Sequence, residues 1–450
     1  MTDNYRAIAI NSSLCKIFDY MIIEFYENLF VSEVNNRQFA YKAKCSTSQC
    51  TFILSEVVDY YIKNGSSVVA SFIDCSKAFD RVQYKRLFCV LQNKGICPIT
   101  CRLLAVMYSN IKANVVWNGI VSDVFDINNG VKQGGVISPL LFNLYTESLI
   151  SEIIESGIGC HIGSVSTAVL MYADDIALLA PTRSAMQRLL DICQRFGLEH
   201  NLSFNPEKSE CIIFGSKYSN LDLYLNNKLI PIVNEVTYLG HKLFNSKRYS
   251  NDIFCIDSVI SDLKTRTNII LSHFKFLDID SKIKIFNTNC SSFYGCILSN
   301  QENNSLDSLD RAWRVACRRI LSLPYRTHCN LIPPLMNSLP PSKQINIRTI
   351  NFFKNSLNSN SNFLKFICNN CLNEESSTMF KSLNKISCNL KLNISDLLQL
   401  PKSYLKKEII VNFNWKSCLL KELLHCREGK MDCGLSFNMI NQLITDICLF

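Results

Sequence analysis

Apolar residues recur at helical spacing in some stretches of the chain and as β-branched runs in others, and the switches between the two mark its elements. Within residues 11–34, Leu14, Ile17, Phe18, Met21, Ile22 and Phe25 follow helical spacing, with Asn11, Ser12 and Ser13 ahead of them as candidate caps. A second amphipathic helix is predicted over residues 47–63, and Asn64-Gly65 ends it. The run Val68, Val69, Ala70, Ser71, Phe72, Ile73 then has the composition of a buried strand and stops at Asp74. Helical spacing returns over residues 82–94 and 98–112. The next stretch, KANVVWNGIVSDVFDINNGV, is β-branched around Asn118-Gly119, which signals a hairpin.

A further helix is predicted over residues 140–156. Residues 168–180 are two short apolar runs around Asp174-Asp175, so they read as a hairpin with carboxylates at its tip. A helix at 183–200 and strands at 211–214 and 237–243 follow. Mixed helices and strands with an antiparallel element make the class α+β. From about 255 to 340 the pattern is mainly helical; after 350 the chain is rich in Asn, Ser, Lys, Leu and Phe, and no internal repeat is found.

Composition narrows this picture a little. With 48% hydrophobic and 19% charged residues, the 450-residue chain is expected to fold around a large core rather than stay disordered. A net charge of +9 suits phosphate contacts but is shared by many proteins of this length. The 22 cysteines are scattered singly through apolar segments, as at Cys75, Cys89, Cys193 and Cys211, which suggests a reducing compartment. The N-terminus has no signal-peptide pattern, and no run reaches the roughly 18 apolar residues of a membrane span. An intracellular protein of the nucleus or cytoplasm, not secreted, is therefore expected. Cys368 and Cys371 form a lone C-x-x-C pair, and Cys418, His425, Cys426 and Cys433 lack zinc-knuckle spacing, so no structural zinc is expected.

The acidic pair is where the chemistry enters. Two adjacent carboxylates at a hairpin tip repel unless a cation or basic side chains accompany them. Magnesium, a hard ion that takes oxygen ligands, is the common solution. Asp74 closes another apolar strand, and if the two strands share a sheet the three groups converge, the minimum for two-metal phosphoryl transfer. Taken singly, an Asp after a strand also serves as a helix cap, and an Asp-Asp pair also occurs as a surface turn.

Three segments in order decide between these. SFIDCSKAFD (71–80), GVKQGGVISPLLFNLY (130–145) and MYADDIALLA (171–180) resemble the three palm motifs of reverse transcriptases. NYRAIAINSSLCKIFDYMI (4–22) and QFAYKAKCSTSQ (38–49) are similar to the finger segments of the non-LTR, LINE-type members. HNLSFNPEKSECIIF (200–214) looks like the fourth palm motif and VTYLGHKL (236–243) like the primer grip. The likeness covers residues 4–245 and continues more loosely through DRAWRVACRRILSLPYRTH (310–328), similar to the thumb.

That resemblance implies a right-hand architecture: a fingers-like segment at 1–66, a palm with finger insertions at 67–250, a helical thumb-like region at 251–345, and a C-terminal region of unknown role at 346–450. It implies RNA-directed DNA synthesis with two Mg2+ ions, or Mn2+, an RNA template, a DNA primer and deoxynucleoside triphosphates. Asp74 and Asp174 map to the metal-binding acids, Asp175 to the weaker third ligand, and Cys75 to the residue lending a backbone carbonyl. Phe79 matches the aromatic that closes on a sugar 2′-hydroxyl, and Gln133 with Gly134 matches the pair lying along nucleotide and template. Lys42 stands where the family has a phosphate-binding Arg, so the bidentate fork is lost and the grip weakened or shared with Lys44. Lys208 matches the lysine proposed to protonate pyrophosphate, and Arg311, Arg314 and Arg318 form a basic stripe suited to a template–primer backbone. Phe79 as core packing, Lys208 as a solvated lysine and the arginines as a solvated face are the plain alternatives.

RNA-dependent RNA polymerases share the palm acids but usually carry Gly-Asp-Asp and a small or polar sugar gate, unlike Tyr172-Ala173-Asp174-Asp175 and Phe79. No intron-type maturase segment and no endonuclease pattern is visible in the sequence, and the start at a finger segment suggests a piece of a larger protein. An inactive remnant that only binds nucleic acid is the reading from a different class.

Overall fold

The computed structural model of the chain describes residues 8–32, 34–109, 111–215, 222–245, 256–301 and 305–401. These residues form two compact units, one built from the chain up to Gly240 and one mainly from the helices beyond it.

The first unit begins with α1 (Ser13–Phe25), where the Ser12 hydroxyl accepts from the Cys15 amide at 3.3 Å. The helix is shorter than the apolar spacing suggests. It buries Ile22 and Asp19, while Leu14, Met21 and Phe25 stay exposed. The second helix, α2 (Thr47–Lys63), is held by a capping box in which Ser46 and Gln49 bond each other's backbone. Its residues Gln49 to Val58 are all buried, and β1 (Val68–Cys75) follows as the expected strand.

Helices α3 (Tyr84–Asn93) and α4 (Pro98–Ser109) come next. The predicted helix at 98–112 stops early because Ile111–Ala113 pairs antiparallel with Phe125–Ile127. Inside that ribbon Val116–Trp117 pairs with Ile120–Val121 across Asn118-Gly119, with φ +48° and +81°. Both central residues are left-handed, as a type I′ turn requires. The helix α5 (Ser138–Glu155) is apolar on nearly every face and runs through the core with Leu141, Phe142, Tyr145 and Leu149 fully enclosed.

After it come β2 (Val169–Tyr172), β3 (Asp175–Ala180), α6 (Arg183–His200), β4 (Phe204–Phe214) and β5 (Ile232–Val233). One five-stranded sheet runs in the order β5-β4-β1-β3-β2, antiparallel except for the β4/β5 pair. Thus β1 sits centrally between β3 and β4. The strand predicted at 211–214 begins seven residues earlier, at Phe204. Pro206 fits there because the β1/β4 register jumps from Phe72↔Glu210 to Asp74↔Asn205, leaving Pro206 in a bulge that needs no ladder donor. The predicted strand at 237–243 is two, Glu235–Tyr238 and His241–Phe244, broken at Leu239-Gly240 where both φ are positive.

The second unit is helical, with α7 (Ile256–His273), α8 (Ile279–Cys290), α9 (Ser305–Ile320) and α10 (Pro341–Leu357), then helices at Asn362–Asn373, Thr378–Leu390 and Ile394–Gln399. Trp313 of α9 is fully buried at the centre of its core, with Phe286, Leu309 and Ile345 around it. No described helix is long and apolar enough to cross a membrane. Cys368 and Cys371 are buried in the helix Asn362–Asn373, and Cys418, His425, Cys426 and Cys433 lie outside the described residues.

Candidate active site

Asp74 is the penultimate residue of β1, placed at the bulge against β4. Its amide donates to Ser209 Oγ at 3.1 Å, and that hydroxyl donates to the Asn205 carbonyl at 2.6 Å. The serine bridges the ladder gap that the bulge opens, so the end of β1 stays fixed where ordinary strand pairing fails.

Asp174 reaches the same place from the other side. Tyr172 pairs with Asp175, so Ala173-Asp174 is a two-residue hairpin loop, with Ala173 at φ +57°. A residue with a Cβ pays about 1–2 kcal/mol for that left-handed conformation. Because β3 pairs with β1 in the register Ile73↔Ile176, the loop lies beside the end of β1. Burial pushes the Cys75 thiol up to about 12, and the Asp174 and Asp74 carboxylates push the same way. Tyr41 is likewise raised, first by burial and then by Asp174.

Asp175 behaves differently. Its charge bears on Cys50, pushed up to about 12 chiefly by burial, and on buried Tyr238, whose hydroxyl lies 3.4 Å from the Cys50 thiol. Asp174 thus lies within electrostatic reach of Cys75, and Asp175 within reach of the Cys50–Tyr238 pair. Among the described residues no three His, Cys, Asp or Glu side chains stand together at ligand distance. Asp74 and Asp174, hard oxygen donors at neighbouring strand ends, are of the type that could hold a divalent ion.

Phe79 sits in the short 3-10 turn Ala78–Arg81 and stacks on Phe142 of α5, with ring centroids 4.7 Å apart and planes at 11°. It is half-buried and packs against the core. Gln133 Nε2 donates to Asp80 Oδ1 at 3.0 Å, and its carbonyl accepts from the Ala9 amide at 2.7 Å. Gly134 is exposed with φ +98°. Gly130 explains how the two loops meet. Its amide donates to Val82 O at 2.9 Å and that of Val131 to Phe79 O at 2.8 Å. A Cβ at Gly130, where φ is +93°, would stand 2.8 Å from the Asp80 Cα.

Lys42 is turned inward, with Nζ donating to the Val34 and Asn35 carbonyls at 2.7 and 2.8 Å. Burial lowers its ammonium to about 8. Lys44 and Lys208 are exposed, Lys208 on the bulged part of β4. In the second unit Arg311 is exposed and bonds Asp307 O and Ser308 Oγ within its own helix. Arg314 lies 3.8 Å from Asp310, and Arg318 donates twice to Thr327 O, at 3.2 and 2.7 Å, pinning the segment after α9.

Sequence reasoning passed over Gln38, Ser209 and Asp80. Each is a polar residue inside a matched motif, and its partner at the site lies 135, 135 and 53 residues away respectively, so spacing along the chain gave no sign of that contact.

Two strand ends that present aspartates beside an aromatic-backed loop define a polymerase palm. Residues 2–243, over half of the chain, match the family described as reverse transcriptase (RNA-dependent DNA polymerase). The chain belongs to that family. It is similar to the RNA-directed DNA polymerase from mobile element jockey of Drosophila funebris, 26% identical over 299 residues that cover 63% of this chain and 31% of that protein. It is also similar to the Pol polyprotein from the type-2 retrotransposable element R2DM of Drosophila melanogaster, 27% identical over 48% of this chain and 20% of that one. The matched region thus spans a third or less of these relatives. A looser likeness extends to apo telomerase from Candida tropicalis, with TM-score 0.43 and 12% identity, covering 88% of this chain and 61% of that one.

Proposed function

We propose that the chain is an RNA-directed DNA polymerase of the non-LTR retrotransposon kind, adding deoxynucleotides to a primer 3′-hydroxyl on an RNA template. The observation that carries this is the strand register that sets the Ala173-Asp174 loop beside the end of β1, where Asp74 stands. Asp74 and Asp174, with the Cys75 carbonyl and Asp175 as lesser contributors, would hold two Mg2+ ions, or Mn2+. Such ions supply acidity to the attacking hydroxyl and neutralise charge on the transferred phosphate.

The other residues bind and select. Phe79, backed by Phe142, closes sterically on C2′ and admits deoxyribose. Gln133 and Gly134 lie along the nucleotide, with Asp80 holding the glutamine amide in place. The triphosphate falls to exposed Lys44 together with Lys42, which must release two carbonyls to take part. Lys208 stands ready to give a proton to pyrophosphate, and Arg311, Arg314 and Arg318 contact the nucleic-acid backbone, Arg311 being the most exposed of the three.

Primer extension by the purified chain on an RNA template, with Mg2+ and deoxynucleotides, tests this. Asp174→Asn should cut incorporation at least about 100-fold, as expected for loss of a metal-holding charge. Equal incorporation by the two proteins would remove the metal assignment. No incorporation by the wild-type protein would leave only nucleic-acid binding, as in an inactive remnant.

A further inference from the structure

The loop that carries Asp174 is held by a residue with no part in the chemistry above. Gln38, 1% exposed, lies directly across it. Its Oε1 accepts from the Ala173 amide at 2.9 Å and from the Ala40 amide at 3.1 Å, and its Nε2 donates to the Ala173 carbonyl at 3.4 Å. One side chain therefore grips both polar groups of the single residue that has φ +57° in that loop.

Gln38 is itself fixed by backbone. Met171 N donates to Arg37 O at 2.8 Å and Phe39 N to Met171 O at 2.9 Å, a one-residue parallel bridge that joins Gln38 to Met171 of β2. From α5, the buried Asn143 donates Nδ2 to Ala40 O at 2.9 Å, which holds the segment on its other side. Only an amide fills this role. A carboxylate of the same shape could not donate to the Ala173 carbonyl, and a thioether of the same volume could not donate at all and would accept only weakly from the amide.

We propose that Gln38 is a positioning residue: its amide clamps Ala173 in the left-handed conformation and thereby sets where the Asp174 carboxylate stands relative to Asp74. Without the clamp the Ala173-Asp174 peptide is free to rotate toward ordinary φ, and the carboxylate at its end moves with it. The consequence for turnover rests on the polymerase reading, whereas the clamp itself does not.

The test uses the full chain with Gln38→Met, Ala173→Gly and the two combined. Hydrogen exchange, measured without metal or substrate, should show the Ala173 amide exchanging at least about tenfold faster in Gln38→Met, with β1 and α5 unchanged. In primer extension the same variant should lose about tenfold in kcat, one hydrogen-bond-sized effect, with KM for deoxynucleotide within about twofold. Glycine accepts φ +57° without a clamp, so Ala173→Gly in the Gln38→Met background should recover about threefold or more of the lost kcat. Any fall in melting temperature caused by Gln38→Met should recover with it. Unchanged exchange at Ala173, or a kcat or melting loss that the glycine leaves in place, would overturn the proposal. If the wild-type chain incorporates nothing, the polymerase reading fails and the exchange measurement alone decides the clamp.

Discussion

At the scale of single residues, the site separates side chains that look equivalent in the sequence. Asp174 and Asp175 are adjacent, yet one acts on Cys75 and the other on Cys50 and Tyr238. Lys42 and Lys44 are both basic, yet one ammonium is spent on two carbonyls while the other is exposed. Phe79 makes the cleanest residue-level prediction. One face is stacked on Phe142 and the ring stays partly exposed, so the exposed part is what a sugar would meet. Phe79→Ala should raise kcat/KM for ribonucleotides about 10–100-fold relative to deoxynucleotides, the range that removal of a steric clash allows. Single-nucleotide incorporation with both sugars checks it, and unmoved selectivity would return Phe79 to the role of core packing.

At the scale of elements, the site depends on places where regular pairing stops. The bulge in β4 lets Ser209 cap the Asp74 amide, and the loop before α5 crosses the Ala78–Arg81 turn at Gly130. That crossing is too close for a side chain. Gly130→Ala should destabilise the protein by about 2–4 kcal/mol, the sum of a left-handed alanine and an overpacked contact with backbone. Gly119→Ala has a comparable φ of +81° but nothing within 4 Å of the added carbon, so it should cost only about 1 kcal/mol. Urea denaturation of the two variants makes the comparison, and equal losses would show that crowding at Asp80 is unimportant. The sequence indicates a glycine-rich stretch here. It indicates the turn role of Gly119 through Asn118-Gly119, but not that Gly130 is needed for its neighbour Asp80, which is 50 residues away.

At the scale of the whole molecule, stability should fall in mild acid. His241, 3% exposed with its ring stacked on Tyr294 at 4.4 Å, is lowered to about 4 by burial. Its depressed value means the folded state holds the neutral ring, while the unfolded chain takes up the proton below its ordinary 6.5. Stability is therefore complete above about pH 6.5 and declines toward pH 4, by up to about 3 kcal/mol from this group. Melting curves across that window, compared with His241→Phe, isolate the contribution. An identical pH dependence in both proteins would show that this histidine does not titrate on unfolding.

Local pattern was enough for the α+β class, the strand ending at Asp74, the Asn118-Gly119 hairpin and the acidic loop between two strands, because each is written in consecutive residues. Which strand ends lie side by side was not legible. A shift of one residue in the β1/β3 register would send every side chain to the opposite face without altering the composition of either strand. The Gln38 clamp, the Ser209 bridge and the inward turn of Lys42 were decided in the same way, by partners brought close only when distant segments pack. The sequence alone determined which acids are present and that each ends or borders a strand. The tertiary structure decided that the loop carrying Asp174 lies beside the end of β1 and what holds that loop there.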